Sequence, residues 1–211
     1  MLNLQTLVKG IKGLIPGGIS VKDFSAVTET SEATAKNILD NFMQNGIGTF
    51  EDNQIHFHES DKIKTSLLAI RMGAPVDEVS RLLEWKDFEC LTMEILESRD
   101  FETTRNLVLK KPRLQIDVVG VKLGIAILID CKHWKRLNHS SLEVAVTKQI
   151  ERTKHFLAKQ KIQAAIPAIV TLYQEEMKFV NRVPIIPIFQ LSSFCEEFYG
   201  NLAELDILTT E

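Results

Sequence analysis

Residues 114–132 constrain the fold more than any other stretch. Leu114 to Val121 and Ile125 to Lys132 are two apolar runs separated by a turn near Leu123-Gly124, the pattern of a β-hairpin. A two-residue turn at Leu123 and Gly124 places Asp117 directly opposite Asp130. Directly opposed β-carbons lie roughly 5 Å apart, and like charges there are destabilising. Strand alternation puts Lys132 on the face of Asp130 and Cys131 on the other face. Two carboxylates and an ammonium thus converge on the end of an apolar hairpin. A divalent cation is the simplest group that would stabilise them, although a structural ion-pair cluster is the alternative.

The chain has 211 residues, 45% of them hydrophobic, enough for one sizeable core or two small ones. Its formal charge of −3 gives no overall attraction to nucleic acid, but the charge is unevenly spread. Residues 85–182 carry 17 Lys/Arg against 12 Asp/Glu, between two acidic ends. The basic footprint therefore coincides with the hairpin. The three cysteines, Cys90, Cys131 and Cys195, form no Cys-x-x-Cys pair and no even framework, which points to a reduced, cytoplasmic setting. Lys9 and Lys12 interrupt any signal-peptide core, and no apolar run approaches the roughly 20 residues of a membrane span.

Two domains are expected, residues 1–74 and 75–211, divided at Gly73-Ala74-Pro75. In the first, Leu4, Leu7, Val8, Ile11 and Leu14 make one helical face, and residues 21–28 a short helix. Ser31 caps a helix carrying Ile38, Leu39, Phe42 and Met43, and a hairpin turning at Asp52-Asn53 follows. Three helices and a hairpin make an α+β winged-helix order. The outer face of its third helix (Glu32, Thr34, Lys36, Asn37, Asp40, Asn41, Gln44) is poor for gripping phosphates, so packing or dimerisation stands beside DNA reading as its role.

In the second, helices are expected over 76–84 and 85–98, then a strand over 103–109 and the hairpin. A capping box of Ser140 and Glu143 opens a helix reaching to about Gln160. Ala164 to Tyr173 reads as a strand paired in parallel with the hairpin. Pro184 and Pro187 mark Val183 to Leu191 as an edge strand, and a helix over Ser192 to Leu205 closes the domain.

Residues 85–173 resemble the restriction-endonuclease-like superfamily, the PD-(D/E)XK nucleases, nearest to Mrr-like and archaeal restriction-type enzymes. Asp87-Phe88-Glu89 resembles the first acidic motif and Ile116-Asp117 the Pro-Asp motif. Asp130-Cys131-Lys132 resembles the (Asp/Glu)-x-Lys motif, and Gln149 the glutamine of the later helical motif. Proline is absent before Asp117, and Asp replaces Glu as the first acid of the last motif. The resemblance implies an α/β fold: a restriction-endonuclease-like mixed β-sheet core flanked by helices, preceded by the winged-helix domain. It implies a metal-dependent DNA endonuclease of restriction or repair type. Asp117, Asp130 and the main-chain carbonyl of Cys131 would hold Mg2+ or Mn2+, hard ions that suit oxygen donors. Glu89, Lys132 and Gln149 would complete the catalytic set, with Lys132 stabilising charge on the phosphate.

Phosphate contacts are expected from Arg105, Lys110, Lys111, Arg113, Trp134, Lys135, Arg136, Lys148 and Arg152. Each has a bland counterpart. Lys148 and Arg152 lie on a stripe that reads equally as a solvated helix face, Trp134 as a loop anchor, Glu89 as a first-turn helix acid, Gln149 as a surface amide. A homodimer would supply the two sites needed to cut a duplex. The rival functions are a catalytically inactive nuclease-fold DNA-binding or regulatory protein, and a protein-interaction module.

Overall fold

The computed structural model describes residues 4–75, 78–79, 81–132, 138–172, 178–200 and 202–209. It is a mixed α/β chain of two compact units, Met1–Asp87 and Phe88–Glu211. The division falls beyond the Gly73-Pro75 break, because Ala74, Val79 and Leu82 pack into the core of the first unit.

The first unit comprises α1 (Leu4–Ile11), β1 (Gly17–Ile19), α2 (Val21–Thr28), α3 (Glu32–Gln44), β2 (Thr49–Glu51), β3 (Gln54–Phe57) and α4 (Asp61–Arg71). The side chains of Ser20 and Ser31 accept hydrogen bonds from the Asp23 and Thr34 N–H groups, capping α2 and α3. Their apolar faces close on Phe24, Phe42 and Phe57, whose ring centroids lie 6.4 Å apart pairwise. Asp52 and Asn53, both at positive φ, turn β2 into β3. The sheet order is β1-β3-β2, and β1 was not legible in the sequence. The polar face expected on α3 is outward: Glu32, Thr34, Lys36, Asn37 and Gln44 are exposed.

The second unit is built on a seven-stranded mixed sheet. Helix α5 (Trp85–Glu97) begins at the boundary. It is followed by β4 (Glu102–Leu109), β5 (Leu114–Lys122), β6 (Ile125–Lys132), α6 (His139–Leu157) and β7 (Ala164–Thr171). The chain ends with β8 (Lys178–Val180), β9 (Val183–Pro187), α7 (Ile188–Glu196), a 3-10 turn and β10 (Leu208–Thr209). The order is β4-β5-β6-β7-β9-β8, with β10 also on β7. Strands β6 and β7 pair in parallel from Ile125↔Ala164 to Lys132↔Thr171. Their near-continuous apolar runs suit strands buried on both faces. Phe156 and Leu157 of α6 pack with Val119, Ala126 and Leu128. Gly120, on the opposite face, would bring a β-carbon within 3.1 Å of Leu96 on α5.

Two local expectations are corrected. The Ser140–Glu143 capping box does not open α6. Asn138 does, accepting from the Ser140 N–H at 3.1 Å, because asparagine two residues upstream of that donor closes the tighter turn. Val183 to Leu191 is not an edge strand. β9 ends at Pro187, is wholly buried and lies between β7 and β8, while α7 takes residues from Ile188. The short β8 covers its far side, so the prolines sit inside the sheet without breaking it.

Candidate functional site

The expected hairpin register holds: Val118 pairs with Ile129 and Lys122 with Ile125. The β5–β6 ladder stops at Val118, so Asp117 is the first residue of β5 beyond it. β6 continues as a strand to Lys132 because β7 still pairs with it there. The gap is bridged by a side chain: the Asp117 carboxylate accepts from the Cys131 N–H at 2.8 Å.

Asp130 is 3% exposed and ion-paired on both oxygens. Lys132 Nζ lies 2.7 Å from Oδ2, and Arg152 Nη1 lies 2.9 Å from Oδ1. Arg152 also donates to Gln149 Oε1 at 3.2 Å. Gln149 is fully buried, and its amide donates to the main-chain carbonyl of Leu128 at 2.7 Å. Its amide nitrogen is thereby engaged with β6, while its oxygen reaches the Asp130 cluster through Arg152. Arg152, expected on a phosphate, is turned inward to the carboxylate.

Glu89 enters from α5 and is fully buried, not a solvated helix acid. Oε2 accepts from Asn106 Nδ2 at 3.2 Å, while Oε1 is buried with no hydrogen-bond partner among the described residues. Burial, then the charge on Asp117, lift its pKa to about 7 against the opposing effects of Asn106 and Arg105. Burial first, and then Asp130, lift Asp117 to about 6, opposed by the Cys131 N–H bond. Glu89 and Asp117 thus keep raised pKa values even with Lys132 and Arg152 nearby. A divalent cation would oppose those shifts, and the oxygen donors are of the kind a hard metal ion takes. Among the described residues no group of three or more His, Cys, Asp or Glu side chains is assembled closely enough to hold one. The expected donor set needs only two carboxylates and the carbonyl of Cys131. The Cys131 thiol is buried near Thr92 on α5, and burial pushes its pKa well up, which excludes it as a thiolate nucleophile.

The expected phosphate-binding residues scatter. Lys110, Lys111 and Arg113 are exposed on the β4–β5 turn, Arg113 about 13 Å along β5 from Asp117. Lys159, just beyond α6, donates to the main-chain carbonyls of Lys110 and Lys111. Lys148 is exposed on α6. Arg105 is half-buried with its guanidinium against Cys90 Sγ. Trp134, Lys135 and Arg136 lie outside the described residues. Sequence reasoning missed the role of Asn106 and Gln115. An asparagine inside an otherwise strand-forming segment was the available signal, since strands are depleted in it.

No family model matches the chain. The crystal structure of AF1548, titled a protein of unknown function, is 21% identical, with a TM-score of 0.31 over 42% of this chain and 50% of that one. The structure of VC1899 from Vibrio cholerae is 12% identical, with a TM-score of 0.35 over 95% of this chain and 51% of that one. The chain spans about half of each, and neither overlap is close enough to carry the fold assignment further. An Archaeoglobus fulgidus protein described as uncharacterized is 31% identical over 130 residues, 60% of this chain and all of that protein. At that identity over its full length, the chain belongs to the same family as this Archaeoglobus fulgidus protein.

Proposed function

We propose that this protein is a metal-dependent DNA endonuclease, with a restriction-endonuclease-like second unit and a winged-helix first unit. One observation carries the reading. Three carboxylates, Glu89, Asp117 and Asp130, are gathered where β5 leaves β6, two of them with raised pKa values and one with an unsatisfied buried oxygen. Protein interiors rarely keep such an arrangement unless a cation or a substrate completes it.

Asp117, Asp130 and the Cys131 carbonyl would hold Mg2+ or Mn2+, with Glu89 reaching the ion through water. The ion would supply charge neutralisation at the phosphate and a more acidic bound water. Lys132 is one-quarter exposed on Asp130, so its ammonium is fixed yet open to an anion, suited to stabilising a pentavalent phosphate. Lys110, Lys111 and Arg113 on the β4–β5 turn lie toward the end of β5 that carries Asp117 and would contact the backbone of DNA. The exposed polar face of α3 suits packing or dimerisation as well as groove contact. A homodimer would place two sites on opposite strands, and a reduced cytoplasmic setting suits the three free thiols.

The second reading is a catalytically inactive, DNA-binding relative of such nucleases. The double ion pair on Asp130 favours it, because Lys132 and Arg152 already neutralise that carboxylate without a metal. Supercoiled plasmid incubated with the protein and Mn2+ or Mg2+ separates the two. Nicking by the wild type and none by Asp130→Asn or Lys132→Ala is expected. Equal nicking by those variants removes the hydrolase assignment.

A further inference from the structure

Asn106 lies inside β4 with φ of 55°. The other described non-glycine residues with positive φ, such as Glu29, Asp52, Lys111, Leu123 and Asn181, sit at turns or a helix end. A left-handed residue within a strand turns the chain out of the pleat, and asparagine tolerates it better than most side chains. The β4–β5 register shows the consequence. It runs Arg105↔Val118 and then Leu107↔Ile116, stepping over Asn106 and Asp117. At that same level β5 stops pairing with β6. The kink therefore coincides with the point beside Asp117 where the β5–β6 ladder ends.

At that level the side chain of Asn106 joins Gln115 to Glu89. Gln115 Nε2 donates to its Oδ1 at 2.8 Å, which fixes the orientation of the amide. Its Nδ2 is thereby aimed at Glu89 Oε2, 3.2 Å away. Glu89 has one oxygen held by Asn106 and the other unpartnered. A carboxylate gripped at one oxygen and bare at the other is oriented to offer the bare one.

We propose that Asn106 is a positioning residue of this site. Its left-handed backbone bends the β4–β5 hairpin away from β6 at Asp117, and its amide, set by Gln115, holds Glu89 by one oxygen and leaves the other for the site. The Glu89 part rests on the metal-dependent reading above; the bend does not.

The test uses the full chain, with melting in EDTA and Mn2+ binding by electron paramagnetic resonance. Asn106→Gly keeps the left-handed backbone and deletes the amide. It should melt within a few degrees of wild type yet bind Mn2+ at least about 10-fold more weakly, the loss usual when an outer-shell partner of a ligand is removed. Gln115→Glu turns the donor facing Asn106 into an acceptor, which should swing the amide away from Glu89 and give the same loss. Asn106→Val, whose β-branched side chain disfavours positive φ, should melt well below both. Wild-type Mn2+ affinity in Asn106→Gly overturns the positioning role, and wild-type melting in Asn106→Val overturns the bend. If the wild type itself binds no Mn2+, the metal reading and the Glu89 role fall together, and the melting order alone decides the bend.

Discussion

Replacing Glu89 by Gln should shift the stability of the metal-free protein progressively in the variant's favour as pH rises. The cause is burial next to Asp117, which lifts the folded-state pKa of Glu89 from 4.5 to about 7. A raised carboxylate pKa means that the folded chain favours the neutral form. Below pH 4.5 the folded and unfolded chains both hold the proton and nothing is lost. Between 4.5 and 7 the unfolded chain ionises first, so stability falls. Above 7 the penalty is complete. The gap between 4.5 and about 7 corresponds to about 3 kcal/mol at pH 8. Gln keeps an oxygen for Asn106 but sets an N–H where Oε1 has no partner, a pH-independent cost of about 1–3 kcal/mol. The informative quantity is therefore the change with pH. Urea unfolding in EDTA should show the variant gaining about 3 kcal/mol on wild type between pH 4.5 and 8. Mn2+ at about 100 times its Kd should restore about 2.7 kcal/mol to wild type at pH 8, and less to the variant. A variant-minus-wild-type difference that stays flat across that range refutes the account of Glu89 as a strained, buried acid.

Arg152→Met removes one of two cations from a buried carboxylate. It should cost about 2 kcal/mol by denaturant titration, the scale of a hydrogen bond to a charged group, and Mn2+ should bind more tightly as the competing guanidinium leaves. Gln149→Ala removes the buried bonds to the Leu128 carbonyl and to Arg152 and should cost about 1–3 kcal/mol in the same assay. Gly120→Val drives a side chain into Leu96, Phe101 and Ile127, all within 3.3 Å of the position of a β-carbon. Overpacking of about 1–3 kcal/mol should appear as a lower melting temperature.

Much of the scaffold was legible because it depends on neighbours in sequence. The span Ile125 to Lys132 coincides with β6, since an apolar run between a glycine turn and a polar stretch of sequence leaves little choice. Ser31 caps α3 through a contact three residues away. The register followed from a two-residue turn, and the ladder obeys it as far as Val118; the expected Asp117–Asp130 pair lies beyond its end, where Asp117 bonds the Cys131 N–H instead. Legibility failed where a distant segment intervenes. Pro184 and Pro187 spell an edge strand only if nothing covers it, and the three residues of β8 cover it. The helix stripe holding Lys148 and Arg152 spelled a phosphate-facing surface, yet Arg152 turns inward because a buried carboxylate outcompetes solvent for its guanidinium.

The amino-acid sequence by itself determined the hairpin, its register and the convergence of Asp117, Asp130 and Lys132, because strand alternation and turn length are local rules. Only the tertiary structure decided the states of those groups. Burial of Glu89 and the double ion pair on Asp130 arise from α5 and α6 packing on the hairpin. Desolvation and Coulomb energies depend on what surrounds a charge in space, and no periodicity in the chain encodes that.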